Sequence, residues 1–315
     1  MQTSPTPLTG LVAAPYTPFH ADGSLNLPVI DQLAASLVAN GVTGAFVCGT
    51  TGEGVSLTVE ERQQVAERWQ QAAGSQLRVI VHVGHTSLAD ARSLAAHAEK
   101  IGAHGVGCLA PFFFKPATIE DLAGFCAEVA AAAPALPFYY YQIPSMTGVS
   151  LSAADFLRAA APRIPNLAGV KFTFENLMDF AECVRLEGGR YDIVFGRDEI
   201  LVAGLALGAR GAIGSTYNFL APIFHEVIAA FEKGDLARAR GKAGGGECDH
   251  QDLHPLRGLA RRQGDHENHR PRLRADAPSA AFLERKAGGV NARGTRGGRV
   301  LSALFAGLSD CPAFA

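Results

Sequence analysis

The chain has 315 residues, of which 48% are hydrophobic and 18% charged, an ordinary balance for a protein with a sizeable core. A formal net charge of −2 gives no general attraction to nucleic acid or to membranes. The N-terminus shows no basic-then-apolar leader, no apolar run reaches the roughly 18 residues of a membrane span, and the six cysteines form no Cys-x-x-Cys pair. We therefore expect a cytoplasmic protein with no nucleic-acid or membrane partner, and free buried thiols at Cys48 and Cys108.

Short apolar runs alternate with Ala- and Leu-rich stretches over the first 235 residues. Continuous apolar runs suit parallel strands that are buried on both faces. Eight strands are predicted over residues 11–19, 44–50, 78–84, 105–111, 137–142, 167–173, 191–196 and 211–216. Helical spacing predicts helices over residues 27–40, 58–73, 88–101, 118–132 and 176–186. Thr58, Ser87 and Thr118 precede acidic residues at helix starts, as N-caps do.

Eight strand–helix units predict an α/β protein with a closed (β/α)8 TIM barrel, which we assign to residues 1–240. No Gly-x-Gly-x-x-Gly motif opens a helix after the first strand, which argues against a dinucleotide site. Active sites of such barrels lie where strands end and βα loops begin. Five candidate segments follow these strands: residues 49–53, 141–144, 171–173, 196–199 and 214–218.

Lys171 interrupts an otherwise apolar strand, where a buried amine is costly unless it is paired or functional. Burial lowers an amine's pKa and frees its lone pair to attack a carbonyl. The alternative is a lysine at a strand end whose ammonium reaches solvent. Tyr141 ends the preceding strand, where its phenol could move a proton. Three successive tyrosines alternate faces, however, so at least one of them is expected to pack outside the barrel.

The other candidate loops have equally simple alternatives. In Gly-Thr-Thr-Gly-Glu (residues 49–53), Thr50 and Thr51 could hold a carboxylate, or the segment could be an ordinary turn. Asp198 and Glu199 could bind hydroxyl groups or cap a helix. Ser215 could bind a hydroxyl or belong to a turn.

Taken together, the five segments resemble the dihydrodipicolinate synthase/N-acetylneuraminate lyase superfamily over about three-quarters of the chain. Residues 138–148 (Phe-Tyr-Tyr-Tyr-Gln-Ile-Pro-Ser-Met-Thr-Gly), 169–173 (Gly-Val-Lys-Phe-Thr), 214–218 (Gly-Ser-Thr-Tyr-Asn) and 110–116 (Ala-Pro-Phe-Phe-Phe-Lys-Pro) look like the lyase branch, especially its animal-type members. The synthase branch places a proton-relaying tyrosine after its fourth strand. Phe112, Phe113 and Phe114 stand there in this chain, and phenylalanine cannot carry a proton.

The resemblance implies an aldolase that uses no metal and no added cofactor. Lys171 would form an imine and Tyr141 would shuttle the proton. Thr50 and Thr51 would bind the pyruvoyl carboxylate. The sugar chain would be contacted by Asp198, Glu199, Ser215 and the backbone of Gly196, with Thr173 beside the lysine.

The implied reaction is retro-aldol cleavage of N-acetylneuraminate into N-acetylmannosamine and pyruvate, by a homotetramer. The alternatives are another pyruvate-dependent aldolase or dehydratase of the superfamily, a sugar-acid binding protein without turnover, and a barrel inactivated by its altered C-terminus.

Residues 241–315 form an atypical tail with ten Arg, two Lys and many Gly, where the superfamily normally has helices. Read one base later, residues 264–280 permit Ala-Ile-Met-Lys-Ile-Ile-Gly-Leu-Asp-Cys-Gly-Pro-Thr-Arg-Leu-Pro, which is similar to the superfamily's C-terminal ending. We hypothesise a frameshift near residues 240–248, in the gene or in its sequencing, and a poorly ordered tail. Cys248, His250 and His254 have metal-like spacing, but the pair His266 and His269 is too close for a zinc helix, so we expect no metal site.

Overall fold

The structure is a computed structural model that describes residues 7–20 and 22–243, and in them eight parallel strands form a closed barrel in sequential order. Pairing of the first strand with both the second and the eighth closes the ring. The predicted TIM barrel is therefore confirmed. The strands are β1 Gly10–Ala13, β2 Gly44–Val47, β3 Arg78–His82, β4 Gly105–Leu109, β5 Phe138–Gln142, β6 Leu167–Phe172, β7 Asp192–Phe195 and β8 Gly211–Gly214.

Helices surround the barrel, and the predicted caps lie at their starts. Thr58 and Thr118 each form a capping box, with Glu61 and Asp121 respectively, and the Ser87 hydroxyl accepts from the backbone of Asp90. Each cap satisfies N–H groups that the first helical turn leaves free. The helices are α1 Val29–Ala39, α2 Val59–Ala73, α3 Leu88–Lys100, α4 Ile119–Ala130, α5 Pro144–Thr147, α6 Ala153–Ala160, α7 Leu177–Arg185, α8 Leu201–Ala206, α9 Ala221–Glu232 and α10 Leu236–Ala243.

Successive strand residues point to opposite faces, which divides the apolar side chains into two layers. The inner layer fills the barrel and includes Phe46, Ile80 and Val194. The larger outer layer lies between strands and helices and includes Trp69 and Phe180. The barrel is thus a filled core, and its reactive side chains have to lie at one end of it.

The three consecutive tyrosines of β5 follow this alternation. Tyr139 and Tyr141 belong to the inner layer, whereas Tyr140 belongs to the outer layer, where its ring packs against Phe156. The expectation that at least one tyrosine packs outside the barrel is confirmed. The free, buried thiols expected at Cys48 and Cys108 are confirmed as well.

The last described helix, α10, packs against α9, with Ala239 fully buried and Lys242 paired with Glu226 at 3.1 Å. The predicted boundary at residue 240 falls within this helix, and the division into barrel and tail stays a prediction. Residues 244–315, with Cys248, His250, His254, His266 and His269, lie outside the described residues. Among the helices that are described, none is both long and apolar enough to cross a membrane.

Candidate active site

Lys171 lies inside the barrel near the carboxyl end of β6, with 4% of its surface exposed. Sheet register pairs it with Tyr141 on β5 and with Val194 on β7. Its Nζ is 3.9 Å from the ring centroid of Phe46 and 3.9 Å from that of Tyr141. The side chain is therefore enclosed, and the alternative of an amine that reaches solvent is wrong.

Burial governs the charge of this amine. It lowers the pKa of Lys171 from 10.5 to about 7, and the carboxylate of Asp198 offsets part of that effect. A large share of the amine is then neutral near neutral pH, which is the form that attacks carbonyl carbon.

Tyr141 lies beside the amine, 2% exposed, in an aromatic group with Phe46 and His82. Its hydroxyl is hydrogen-bonded to Thr50 Oγ1 at 3.2 Å. Burial raises the pKa of Tyr141 to about 12, although the bond to Thr50 lowers it. The phenol is thus protonated at neutral pH and can act as a donor or as a relay.

The turn of residues 49–53 leads away from β2 through a constrained backbone. Cys48 has a φ of 57°, and Glu53 has a φ of 53°, both left-handed conformations that side chains other than glycine rarely adopt. The Thr17 hydroxyl donates to the carbonyl of Gly52 at 2.6 Å. Thr50 and Thr51, both half-buried, therefore lie on a turn that is fixed at its two ends.

Asp198 follows β7 and has 4% of its surface exposed. Its Oδ2 accepts from the backbone N–H of Thr216 at 3.0 Å and from the Thr216 hydroxyl at 2.7 Å, which joins the loops after β7 and β8. It does not cap its own 3₁₀ turn, so the capping interpretation is wrong for Asp198. Burial raises its pKa, and its Oδ1 has no hydrogen-bond partner among the described residues.

The remaining predicted residues lie at the same end of the barrel. Thr173 is buried next to Gly196, and a Cβ on that glycine would lie 2.1 Å from the threonine hydroxyl. Glu199 is exposed at the barrel mouth, and Ser215 is half-buried after β8. All nine predicted residues follow or end strands β2, β5, β6, β7 and β8 on one face of the barrel.

Three further residues belong to this site and were absent from the sequence prediction. Phe46 and His82 face the barrel interior beside Tyr141. Tyr16 follows β1, and burial together with the charge of Asp198 raises its pKa to about 12. Period-two alternation could have assigned Phe46 and His82 to the inner face, but it could not show that they lie at the depth of Lys171.

Comparison with known proteins decides the family. The family model described as "Dihydrodipicolinate synthetase family" matches residues 7–243. The chain belongs to this family. The N-acetylneuraminate lyase of Rattus norvegicus is 48% identical to this chain over 235 residues, which cover 74% of this chain and 73% of the rat protein. The resemblance found in the sequence motifs is confirmed.

Solved structures with a similar fold include two N-acetylneuraminate lyases. Proteus mirabilis N-acetylneuraminate lyase has a TM-score of 0.79 at 40% identity, covering 98% of this chain and 99% of the other. The N-acetylneuraminate lyase (sialic acid aldolase) of Aliivibrio salmonicida has a TM-score of 0.78 at 38% identity, with 95% of each chain covered. In fold and in sequence this chain is therefore similar to lyases that carry the same name in animals and bacteria.

Proposed function

We propose that this chain is a class I aldolase that cleaves N-acetylneuraminate into N-acetylmannosamine and pyruvate through an imine on Lys171. The observation that carries the proposal is an enclosed amine with a pKa near 7, adjacent to a phenol that is hydrogen-bonded to Thr50. The names of the relatives at 48%, 40% and 38% identity support the same reaction.

In the first step, neutral Lys171 attacks the C2 ketone of the open-chain sugar acid. The resulting carbinolamine loses water and becomes a protonated imine. Thr50 and Thr51 hold the carboxylate through their hydroxyls and through the backbone N–H groups of the turn. Because the turn is fixed by Thr17 and the amine by its aromatic neighbours, the ketone is presented to Nζ in one orientation.

In the second step, the protonated imine accepts the electron pair of the C3–C4 bond. The C4 hydroxyl loses its proton to Tyr141, which acts together with the substrate carboxylate. A phenol with a pKa of about 12 serves as a relay, receiving this proton as it donates its own to the substrate carboxylate. The aldehyde N-acetylmannosamine leaves and an enamine remains. The relayed proton is then delivered to C3 of the enamine, and hydrolysis of the resulting imine releases pyruvate and regenerates the amine.

The sugar chain extends from the imine toward the loops after β7 and β8. Asp198 supplies a buried carboxylate oxygen that has no partner in the described part of the chain, which suits a sugar hydroxyl. The other polar groups around the sugar are the side chains of Glu199, Ser215 and Thr173 and the carbonyl of Gly196.

The proposed chemistry uses the covalent imine in place of an added cofactor, because the iminium supplies the electron sink. Sialic acid and pyruvate are the proposed small-molecule ligands. A homotetramer in the cytoplasm remains the expected state, and light scattering during size-exclusion chromatography measures the oligomer directly.

The test is reduction with borohydride in the presence of pyruvate, followed by mass mapping of the adduct. We expect one reduced pyruvoyl group on Lys171 in the full chain and none in Lys171→Met. Lys100→Met, which removes a surface lysine at the end of α3, is the control and should label like the unmodified chain.

A chain that is not labelled at Lys171 would refute the proposal and favour the inactive barrel. Labelling without release of N-acetylmannosamine from N-acetylneuraminate would instead indicate another pyruvate aldolase. A panel of aldehyde acceptors with pyruvate then identifies the sugar.

A further inference from the structure

The carbonyl of Cys48, just before the turn of residues 49–53, is held in a narrow space. Cys48 has left-handed backbone geometry, and a Cβ on Gly54 would lie 1.8 Å from its carbonyl oxygen. The same oxygen is 2.9 Å from Nδ1 of His82, on the neighbouring strand β3. The imidazole therefore contacts the backbone at the residue where β2 turns toward Thr50.

Two contacts compete for Nδ1 of His82: the Cys48 carbonyl at 2.9 Å, which only accepts, and Arg62 NH2 at 3.3 Å, which only donates. Because the contact with the carbonyl is the shorter one, we assign the proton to Nδ1. Nε2 is then the unprotonated nitrogen, and it has no hydrogen-bond partner in residues 7–20 or 22–243. Burial and the charge of Arg62 lower the pKa of His82 well below its usual value, so the ring is neutral.

Arg62 reaches this strand from α2 and is 1% exposed. Its NH2 donates to the His82 carbonyl at 2.6 Å, and its NH1 donates to the Gly84 carbonyl at 3.0 Å. Its NH2 also lies 3.3 Å from Nδ1 of His82, and within the described residues Arg62 forms no ion pair with a carboxylate. The planar guanidinium has five N–H donors in a fixed arrangement, so it can hold two carbonyls of neighbouring residues in a defined geometry.

These contacts form one path from helix to substrate. Arg62 fixes the backbone of β3 at His82, and His82 fixes the carbonyl of Cys48. Thr50, two residues later, is hydrogen-bonded to the Tyr141 hydroxyl. A displacement of the Cys48 peptide would therefore move Thr50 and Thr51 relative to Tyr141 and Lys171.

We propose that His82, supported by Arg62, is a positioning residue that sets the affinity for the substrate carboxylate by fixing the turn of residues 49–53. The inference rests on the proposed function, in which that turn binds the carboxylate of pyruvate. We assign this positioning role to the hydrogen bond that Nδ1–H of the imidazole donates, and not to the packing of the ring.

Three substitutions separate the donor from the ring. His82→Asn keeps an N–H donor in the place of Nδ1 but removes the ring. His82→Phe keeps an aromatic ring against Phe46 and Tyr141 but removes the donor. His82→Gln carries the same amide group as His82→Asn, but one methylene farther out, toward the position of Nε2. We therefore expect it to lose the hydrogen bond to the Cys48 carbonyl.

The measurement is the pyruvate dependence of borohydride trapping at Lys171, which gives a half-saturating concentration and a plateau rate. We expect His82→Phe and His82→Gln to raise the half-saturating concentration about tenfold, the loss of one hydrogen bond, while the plateau changes less. His82→Asn should remain within about threefold of the unmodified chain.

If His82→Phe had a normal half-saturating concentration of pyruvate and His82→Asn a raised one, the role of His82 would be packing, and the inference would be overturned. Equal effects of asparagine and glutamine would overturn it as well, and this pair decides the matter if His82→Phe fails to fold. An unmodified chain that is not trapped at all would refute the proposed function and the inference together. If the unmodified chain is trapped but the half-saturating concentrations of the variants do not follow the expected order, the inference is refuted and the proposed function is not.

Discussion

Lys171 lies among aromatic rings, and Asp198 is the acid whose charge affects its pKa. The desolvation of the ammonium form therefore outweighs the attraction to that acid. The net result is an amine poised to change its charge near neutral pH, which links the reactivity of the site directly to its burial.

We predict that imine formation with pyruvate rises as pH increases through about 7 and then levels off. Only the neutral amine attacks the ketone, and the lowered pKa places this form within the neutral range. Initial trapping rates measured from pH 5 to pH 9 test this at roughly unit intervals. A rate that still climbs steeply at about pH 9 would show that the amine has an ordinary pKa.

The lowered pKa of Lys171 also makes the stability of the fold depend on pH. The amine's pKa is lower in the folded chain than in the unfolded chain, so between about 7 and 10.5 the unfolded chain binds more protons. The destabilisation is complete below pH 7 and disappears as pH rises through 10.5. Lys171→Met should therefore raise the free energy of unfolding by roughly 3–5 kcal/mol at pH 7 and by much less at pH 10.

Tyr141 and Tyr140 offer a matched pair on one strand. We predict that Tyr141→Phe lowers kcat for cleavage by about 10²–10⁴-fold, because the ring remains but the proton relay is lost. Tyr140 belongs to the outer layer, and Tyr140→Phe should leave kcat nearly unchanged. Steady-state release of N-acetylmannosamine measures both variants, and equal effects on kcat would contradict the role given to Tyr141.

The sequence could single out Lys171 because a charged residue breaks an apolar run, and a broken pattern is visible without a structure. Phe46 could not be singled out, since an apolar residue in a strand looks the same whether it fills the core or contacts a reactive amine. The Asp198 contact with Thr216 was equally hidden, because it joins two loops that are 18 residues apart in the chain.

At the level of elements, the strands begin close to where the apolar runs predict, and all of them except β5 end earlier than predicted. β1 ends at Ala13 although the predicted strand continues to residue 19. Pro15 and Pro18 lack the N–H group that a central strand needs. The apolar run continues because the loop after β1 is itself buried against the barrel, so hydrophobicity alone cannot locate the strand end.

Close contact between β8 and the loop after β7 is tested at Gly214. A Cβ at this position would lie 1.8 Å from Asp198 Oδ1, so we expect Gly214→Ala to displace the carboxylate and raise KM for N-acetylneuraminate about tenfold or more. Gly124→Ala is the control. Its nearest neighbour, a nitrogen of Arg163, is 4.0 Å away, and alanine in the middle of α4 should stabilise the chain by about 0.5–1 kcal/mol.

Steady-state kinetics and thermal unfolding distinguish the two glycine variants. If Gly214→Ala kept a normal KM, Asp198 would not be held in the position that substrate binding requires.

For the whole molecule, the family match covers residues 7–243, and the chain continues to residue 315. The frameshift hypothesis predicts that the coding DNA near codons 240–248 contains an insertion or deletion that restores the family's ending when corrected. Independent sequencing of that stretch measures this directly. Intact codons without such a change would refute the hypothesis.

Closure of the barrel has a consequence for how activity arises during folding. The turn with Thr50 follows the second strand, while Asp198 and Ser215 follow the last two, and hydrogen bonds between β1 and β8 join the two ends of the sheet. Neither half of the chain contains both the turn with Thr50 and the reactive Lys171. We therefore expect each half of the chain to be inactive on its own. Activity should return only when the two complementary fragments associate and close the barrel.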